Sequence, residues 1–224
     1  MPFEIFSIIL YKTYSKQKIL TLRQFQLPIL PPFLYNFAME KPINIILAGV
    51  GGQGIILAGN IIARAALESG FDVKANELHG MAQRGGSVLS HIRFGKIVHS
   101  PLIPEGEADI LVSLEELESL RYERFLKPGG IVIMNTRKIV PSSISAEAYP
   151  SDIMSSMEKS GFKVEAVDAL AAARNTGSVK IENIILLGLL AKHLPFKQET
   201  WEKVIRSSVP EKYLEMNLKA FGIL

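Results

Sequence analysis

The chain contains no cysteine. That absence removes disulfides, thiolate nucleophiles and any zinc or iron–sulfur centre ligated by cysteines of this polypeptide. If the protein takes part in electron transfer through clusters, another polypeptide must carry them. Histidine is scarce, and His79, His91, His99 and His193 nowhere show the HxxxH spacing of a helical metal site. No apolar run approaches the length of a membrane span, and a cytoplasmic protein is the expectation. A charge of one sign is missing from the body of the chain as well. The formal net charge of +3 resides in residues 1–38, where Lys12, Lys16, Lys18 and Arg23 stand against Glu4 alone. The remainder is balanced, so no basic surface for nucleic acid is indicated. Repeats and low-complexity tracts are also lacking.

What is present suits one large domain, with or without an appendage. The chain has 224 residues, 48% of them hydrophobic, enough for a substantial core. Residues 1–38 differ from the rest. They mix short apolar and aromatic pieces with Pro28, Pro31 and Pro32 and keep no sustained period. They lack the basic start and long apolar stretch of a secretory signal. A leader that is disordered or lies before the natural start at Met39 is the expectation, with residues 39–224 as a single domain.

From Ile43 onward, strand-like and helix-like segments alternate. Residues 43–48 form an apolar run of the kind found in buried parallel strands. Residues 55–69 read as a helix whose polar residues Asn60, Arg64 and Glu68 form one narrow stripe. Strands are expected over 71–77, 87–93, 108–113, 131–135 and 162–167, with a hairpin carrying residues 94–96 back into 97–99. Helices are expected over 114–126, 152–160, 168–174, 179–193, 199–207 and 211–221. This pattern argues for an α/β fold: a Rossmann-like, open, mostly parallel sheet with helices on both faces and further helices appended at the C-terminus. The helix over 179–193 is apolar nearly all round, which predicts burial in the core, in a subunit interface, or both.

Between the first strand and first helix stands Gly49-Val50-Gly51-Gly52-Gln53-Gly54. Strand, glycine turn and helix make a phosphate-binding βα unit. Gly49 permits the turn, Gly51 lets a ligand approach the backbone, and Gly54 lets helix and strand pack closely. The free amides of the first helical turn then point at an anion. The spacing also matches a dinucleotide fingerprint, with Glu77 placed where a ribose-binding acid could sit. The plainer reading is that these glycines, with Gly52 and Gln53, serve packing alone.

The least ordinary segment is Leu78-His79-Gly80-Met81-Ala82-Gln83-Arg84-Gly85-Gly86-Ser87. Arg84 would supply a fixed cationic fork, and the Gly85-Gly86 backbone can approach a ligand closely. His79 suits a hydrogen bond to a ligand or general acid–base assistance. Gln83 joins them as a candidate contact. Against this stand a surface arginine paired with a carboxylate and a histidine capping a turn.

These two segments, in this order, with Ser100-Pro101-Leu102-Ile103-Pro104 and Ala108-Asp109 after them, resemble the gamma-type domain of 2-oxoacid:ferredoxin oxidoreductases. Residues 79–86 are most similar to the indolepyruvate branch of that family. The resemblance spans residues 41–224. It implies a small subunit, inactive alone, of an enzyme that oxidatively decarboxylates an aryl pyruvate with coenzyme A. The products are an aryl-acetyl-CoA, carbon dioxide and reduced ferredoxin. It further implies that thiamine diphosphate, magnesium and iron–sulfur clusters sit on a large alpha subunit, with none bound by this chain. The sequence agrees in having no cysteine and no Gly-Asp-Gly followed by paired asparagines. In this family the glycine loop is not a nicotinamide site. Residues 51–54 and 79–86 are then expected to face the partner's active-site cleft and an anionic group of coenzyme A or of the cofactor. The alternatives are a stand-alone NAD(P)-binding oxidoreductase and a non-catalytic nucleotide-binding module.

Overall fold

A computed structural model of the chain describes residues 41–79, 85–141, 144–174 and 178–223. The expectations for residues 1–38 lie outside these. Six strands form one sheet: β1 (Ile43–Val50), β2 (Asp72–His79), β3 (Ser87–Gly95), β4 (Ala108–Ser113), β5 (Leu126–Asn135) and β6 (Lys163–Val167). Their order across the sheet is β2-β3-β1-β4-β5-β6. β1, β4, β5 and β6 run parallel, whereas β3 is antiparallel to both β1 and β2. Only β3 is therefore reversed, and the sheet is open and mostly parallel, as the sequence pattern predicts.

β1 is covered on both faces, which explains its unbroken apolar run. Ile45 and Leu47 belong to one core, Ile46 and Ala48 to the other, and all four are fully buried. The first core gathers α1 (Ile55–Glu68), α4 (Ala169–Arg174), α5 (Glu182–Ala191), α6 (Gln198–Ser208) and α7 (Leu214–Phe221). The second packs α2 (Glu116–Tyr122) and α3 (Ile153–Lys159) beneath β1, β4 and β5. The polar stripe of α1 meets α6. Arg64 donates to Ser207 Oγ (2.9 Å) and Ser208 Oγ (3.0 Å), and Glu68 pairs with Lys203.

Two expectations fail. Residues 97–99 form no strand; the hairpin is made by β2 and β3. The amide of Val98 donates instead to the Asp72 carboxylate at 2.8 Å, which ties the departing chain to the start of β2. Nor does α5 offer an interface. Ile184, Ile185, Leu186, Leu187 and Leu190 are all fully buried within this one chain, because α1, α4 and α7 close around the helix. Its near-uniform apolarity reflects core position alone.

Candidate functional site

The glycine turn lies at the C-terminal edge of β1, beside the C-terminal ends of β4 and β5. The chain leaves β1 toward one side of the sheet, and β4 and β5 follow on the other. Such a switch point leaves a crevice at the strand ends. Here it is a cavity of about 570 Å³. Gly51, Gly52, Gln53 and Gly54 line one side, and Arg137, Lys180, Glu182 and Asn183 the other.

Each residue of the turn has a distinct task. A Cβ at Gly49 would lie 2.8 Å from Gln53 Oε1 and 3.0 Å from Leu114 Cβ, so close packing demands glycine there. Gly52 (φ 101°) and Gly54 (φ 77°) adopt the left-handed backbone that glycine tolerates best. Gln53 is turned into the protein. Its Oε1 accepts from the Val50 amide (2.7 Å), and its Nε2 donates to the Leu114 carbonyl (2.8 Å). Both ends of the Gln53 amide thus brace the turn against the β4–α2 junction.

Gly51 joins the two glycine-rich segments. Its amide donates to the Gly86 carbonyl at 2.8 Å, and the Gly85 amide points back at its carbonyl from 3.5 Å. Next to this clamp, Ser87 donates to the buried carboxylate of Glu118 and lies 2.8 Å from the Tyr122 hydroxyl. Burial pushes the Glu118 carboxyl above the usual range, opposed by Ser87 and by Arg121 at 3.1 Å. His79 ends β2 opposite Val88. Its side chain, and the candidates Gln83 and Arg84, lie outside the described residues.

The far wall comes from distant sequence. Asn135, fully buried, accepts from the Ala169 amide (3.2 Å) and donates to the Leu114 carbonyl (3.2 Å) and to Glu182 (2.9 Å). Glu182, in turn, pairs with Arg137. Asn183 donates to the Gly54 carbonyl at 3.1 Å, and a Cβ on Gly54 would lie 2.6 Å from its Nδ2. Behind Arg137, Glu115 accepts from the Ile139 amide (2.9 Å) and the Tyr149 hydroxyl (2.6 Å) while capping α2. Burial and this carboxylate together raise the Tyr149 phenol well above its ordinary value. Arg137 and Lys180 make the cavity suitable for an anion.

Sequence reasoning did not find Arg137, Lys180, Glu182 or Asn183. One signal was available: Arg137 stands two residues past the C-terminal end of a buried strand, where ligands of open α/β sheets bind. Lys180, Glu182 and Asn183 carried none, since only the return of the chain from β6 through α4 to α5 brings them to the glycine turn.

The topology also separates residues that the dinucleotide fingerprint would unite. Glu77 pairs with Ser90 on β3, and β3 intervenes between β2 and β1. Glu77 therefore stands two strand spacings from β1, roughly 10 Å, where a ribose-binding acid needs the neighbouring strand.

Residues 44–223 match the family described as pyruvate ferredoxin/flavodoxin oxidoreductase. The chain belongs to this family. Among curated members it is 45% identical over 184 residues to the indolepyruvate oxidoreductase subunit IorB of Archaeoglobus fulgidus, covering 80% of this chain and 91% of that one. To the same subunit of Thermococcus kodakarensis it is 42% identical over 190 residues, covering 82% and 94%. The keto/oxoacid ferredoxin oxidoreductase gamma subunit of Geobacter sulfurreducens has a similar fold. The match there has a TM-score of 0.60 and 27% identity, over 80% of this chain and 94% of that one.

The donor set of this pyruvate ferredoxin/flavodoxin oxidoreductase family member does not fit the cysteine-ligated iron–sulfur clusters that the resemblance implies for the enzyme. It offers no thiolate, and among the described residues no three His, Cys, Asp or Glu side chains are grouped to hold a metal ion. Also among them, no helix is long and apolar enough to cross a membrane.

Proposed function

We propose that residues 39–224 form one gamma-type domain that serves as the small subunit of a 2-oxoacid:ferredoxin oxidoreductase acting on indolepyruvate or a related aryl pyruvate in the cytoplasm. The partner is a large alpha subunit carrying thiamine diphosphate, magnesium and iron–sulfur clusters, and ferredoxin receives the electrons through the assembled enzyme. Thiamine diphosphate would supply the decarboxylation chemistry there, and coenzyme A would take up the acyl group. In this reading the present chain shapes and charges one wall of the active-site cleft. The cavity beside the glycine turn, with Arg137 and Lys180, holds an anionic group of coenzyme A or of the cofactor, and residues 79–86 lie toward the same cleft.

The observation that carries the reading is the high identity to indolepyruvate oxidoreductase subunits along nearly their whole length. The backbone clamp between Gly51 and Gly86 supports it physically, since it joins the two motif segments at the mouth of a cationic cavity.

Co-expression with the large thiamine-dependent subunit, purified through a tag on this chain, tests it. Viologen reduction that needs indolepyruvate and coenzyme A is expected from the complex and from neither subunit alone. Elution of the chain by itself, without activity, would remove the reading. Arg84→Ala in the complex is expected to raise the Michaelis constant for coenzyme A or the 2-oxo acid, or to lower turnover. Unchanged constants would take Arg84 out of the site.

A further inference from the structure

We infer that Glu115 is a positioning residue, whose carboxylate holds the segment 136–139 so that Arg137 faces the glycine-loop cavity. This rests on the reading of Arg137 as an anion-binding group of the assembled enzyme. Glu115 itself does not line the cavity, whereas Arg137 and Ile139 both do.

Residues 136–140 leave β5 without regular structure, so no strand ladder fixes the backbone that carries Arg137. The β4–α2 corner fixes it instead. The Glu116 amide donates to the Arg137 carbonyl at 3.0 Å, and the Ile139 amide donates to Glu115 Oε1 at 2.9 Å. The same corner holds the opposite wall. The Leu114 carbonyl accepts from Gln53 of the glycine turn at 2.8 Å, and Glu118 accepts from Ser87 beside Gly86. Both walls are therefore anchored to residues 114–118, and letting go of residue 139 moves one wall against the other.

The residue type points the same way. Glu115 is the N-cap of α2, with its Oε2 accepting from the Glu118 amide at 3.0 Å. Asp, Asn, Ser and Thr are the side chains that capping alone prefers. A carboxylate that is 1% exposed is also costly unless donors meet its oxygens. The longer side chain is explained by reach. It carries Oε1 out to Ile139 and to the Tyr149 hydroxyl at 2.6 Å, and Tyr149 is itself held by the Leu117 amide at 3.1 Å.

A double-mutant cycle in the complex with the large subunit tests this, read as the Michaelis constants for coenzyme A and for indolepyruvate. Arg137→Ala is expected to raise one of these constants about tenfold, the loss of one charge-assisted hydrogen bond. Glu115→Asp keeps the charge and the cap but falls one methylene short of Ile139. It should raise the same constant about threefold to tenfold. Added to Arg137→Ala, it should change that constant by less than about twofold, because it acts through Arg137. A merely structural role would give the same loss in both backgrounds and overturn the inference, as would an unchanged constant in Glu115→Asp. Unchanged constants in Arg137→Ala would instead end the anion-site reading of the cavity, and this inference with it. If Glu115→Asp does not assemble, Tyr149→Phe takes its place, since it removes one of the two donors on Oε1. It should raise the same constant about twofold to threefold, and only while Arg137 is present. No effect, or an equal effect in both backgrounds, would again overturn the role of Glu115.

Discussion

At Gly54 two demands meet in one residue. The backbone is left-handed, and Asn183 lies where a side chain would begin. Gly52 shares the backbone conformation, but a Cβ there would meet nothing within 4 Å. Gly52→Ala should therefore lose only the conformational term, about 1–2 kcal/mol, whereas Gly54→Ala adds overpacking and should lose about 3 kcal/mol. Urea unfolding of the two variants separates these terms, and equal losses would show that Asn183 yields. His91 makes a different prediction. It is 3% exposed, accepts from the Ile103 amide through Nδ1 (3.1 Å) and stacks edge-on against Phe125. Burial lowers its pKa below the ordinary value, so the unfolded chain takes up a proton that the folded chain refuses. Stability should then fall as pH drops through about 6.5, by no more than about 1.4 kcal/mol per pH unit for this one proton. Burial pushes Glu116 and Glu118 the other way; their contribution falls as pH rises from the usual carboxyl range. His91→Asn leaves that contribution in place and keeps an acceptor for Ile103. Relative to the wild type, its stability should therefore fall less, or rise more, as pH drops from 7 to 5.

Among the elements, α5 has the strictest packing. A Cβ on Gly188 would overlap the carbonyl oxygen of Phe221, so α5 and α7 cross with backbone against side-chain-free backbone. Phe221 in turn stacks on Trp201 of α6 with ring centroids 5.6 Å apart. Gly188→Ala is expected to destabilise by about 1–3 kcal/mol, the usual penalty of overpacking a core. It should also shift the fluorescence of Trp201, the sole tryptophan, because α7 must retreat from it. An unchanged emission maximum with full stability would mean that α5 and α7 slide past one another freely. The N-terminal end of the same helix lines the cavity through Glu182 and Asn183. The packing of α7 on α5 and the geometry of the candidate site are thus properties of one rigid element.

For the whole molecule, the decisive feature is the position of β3. By inserting antiparallel between β2 and β1, it displaces Glu77 from the glycine turn and instead brings Gly85 and Gly86 against Gly51. A glycine turn that would otherwise meet a ribose-binding acid meets a second glycine-rich segment. Fluorescence titration of the chain with NADH and NADPH is therefore expected to show no saturable binding. Saturation would require a nicotinamide site built without Glu77.

The sequence by itself determined the class of fold, since burial of a strand on both faces leaves an unbroken apolar run, legible in β1, β4 and β5, and partial burial of a helix leaves a polar stripe, legible in α1. It also located the glycine turn, because left-handed and crowded backbone at Gly49, Gly52 and Gly54 admits little else. The lack of cysteine needed no structure to be decisive. What only the tertiary structure decided was adjacency. Whether α5 faced a partner or the core depended on α1, α4 and α7 closing around it, and an all-apolar helix looks the same in both places. That Gln53 braces the turn from inside follows from the Leu114 carbonyl, which is remote in sequence. Arg137, Lys180 and Glu182 became neighbours of the glycine turn because the parallel strands all end on the same edge of the sheet. Polar residues at that edge show no period of their own, and the crossovers that bring them together leave no mark in local sequence.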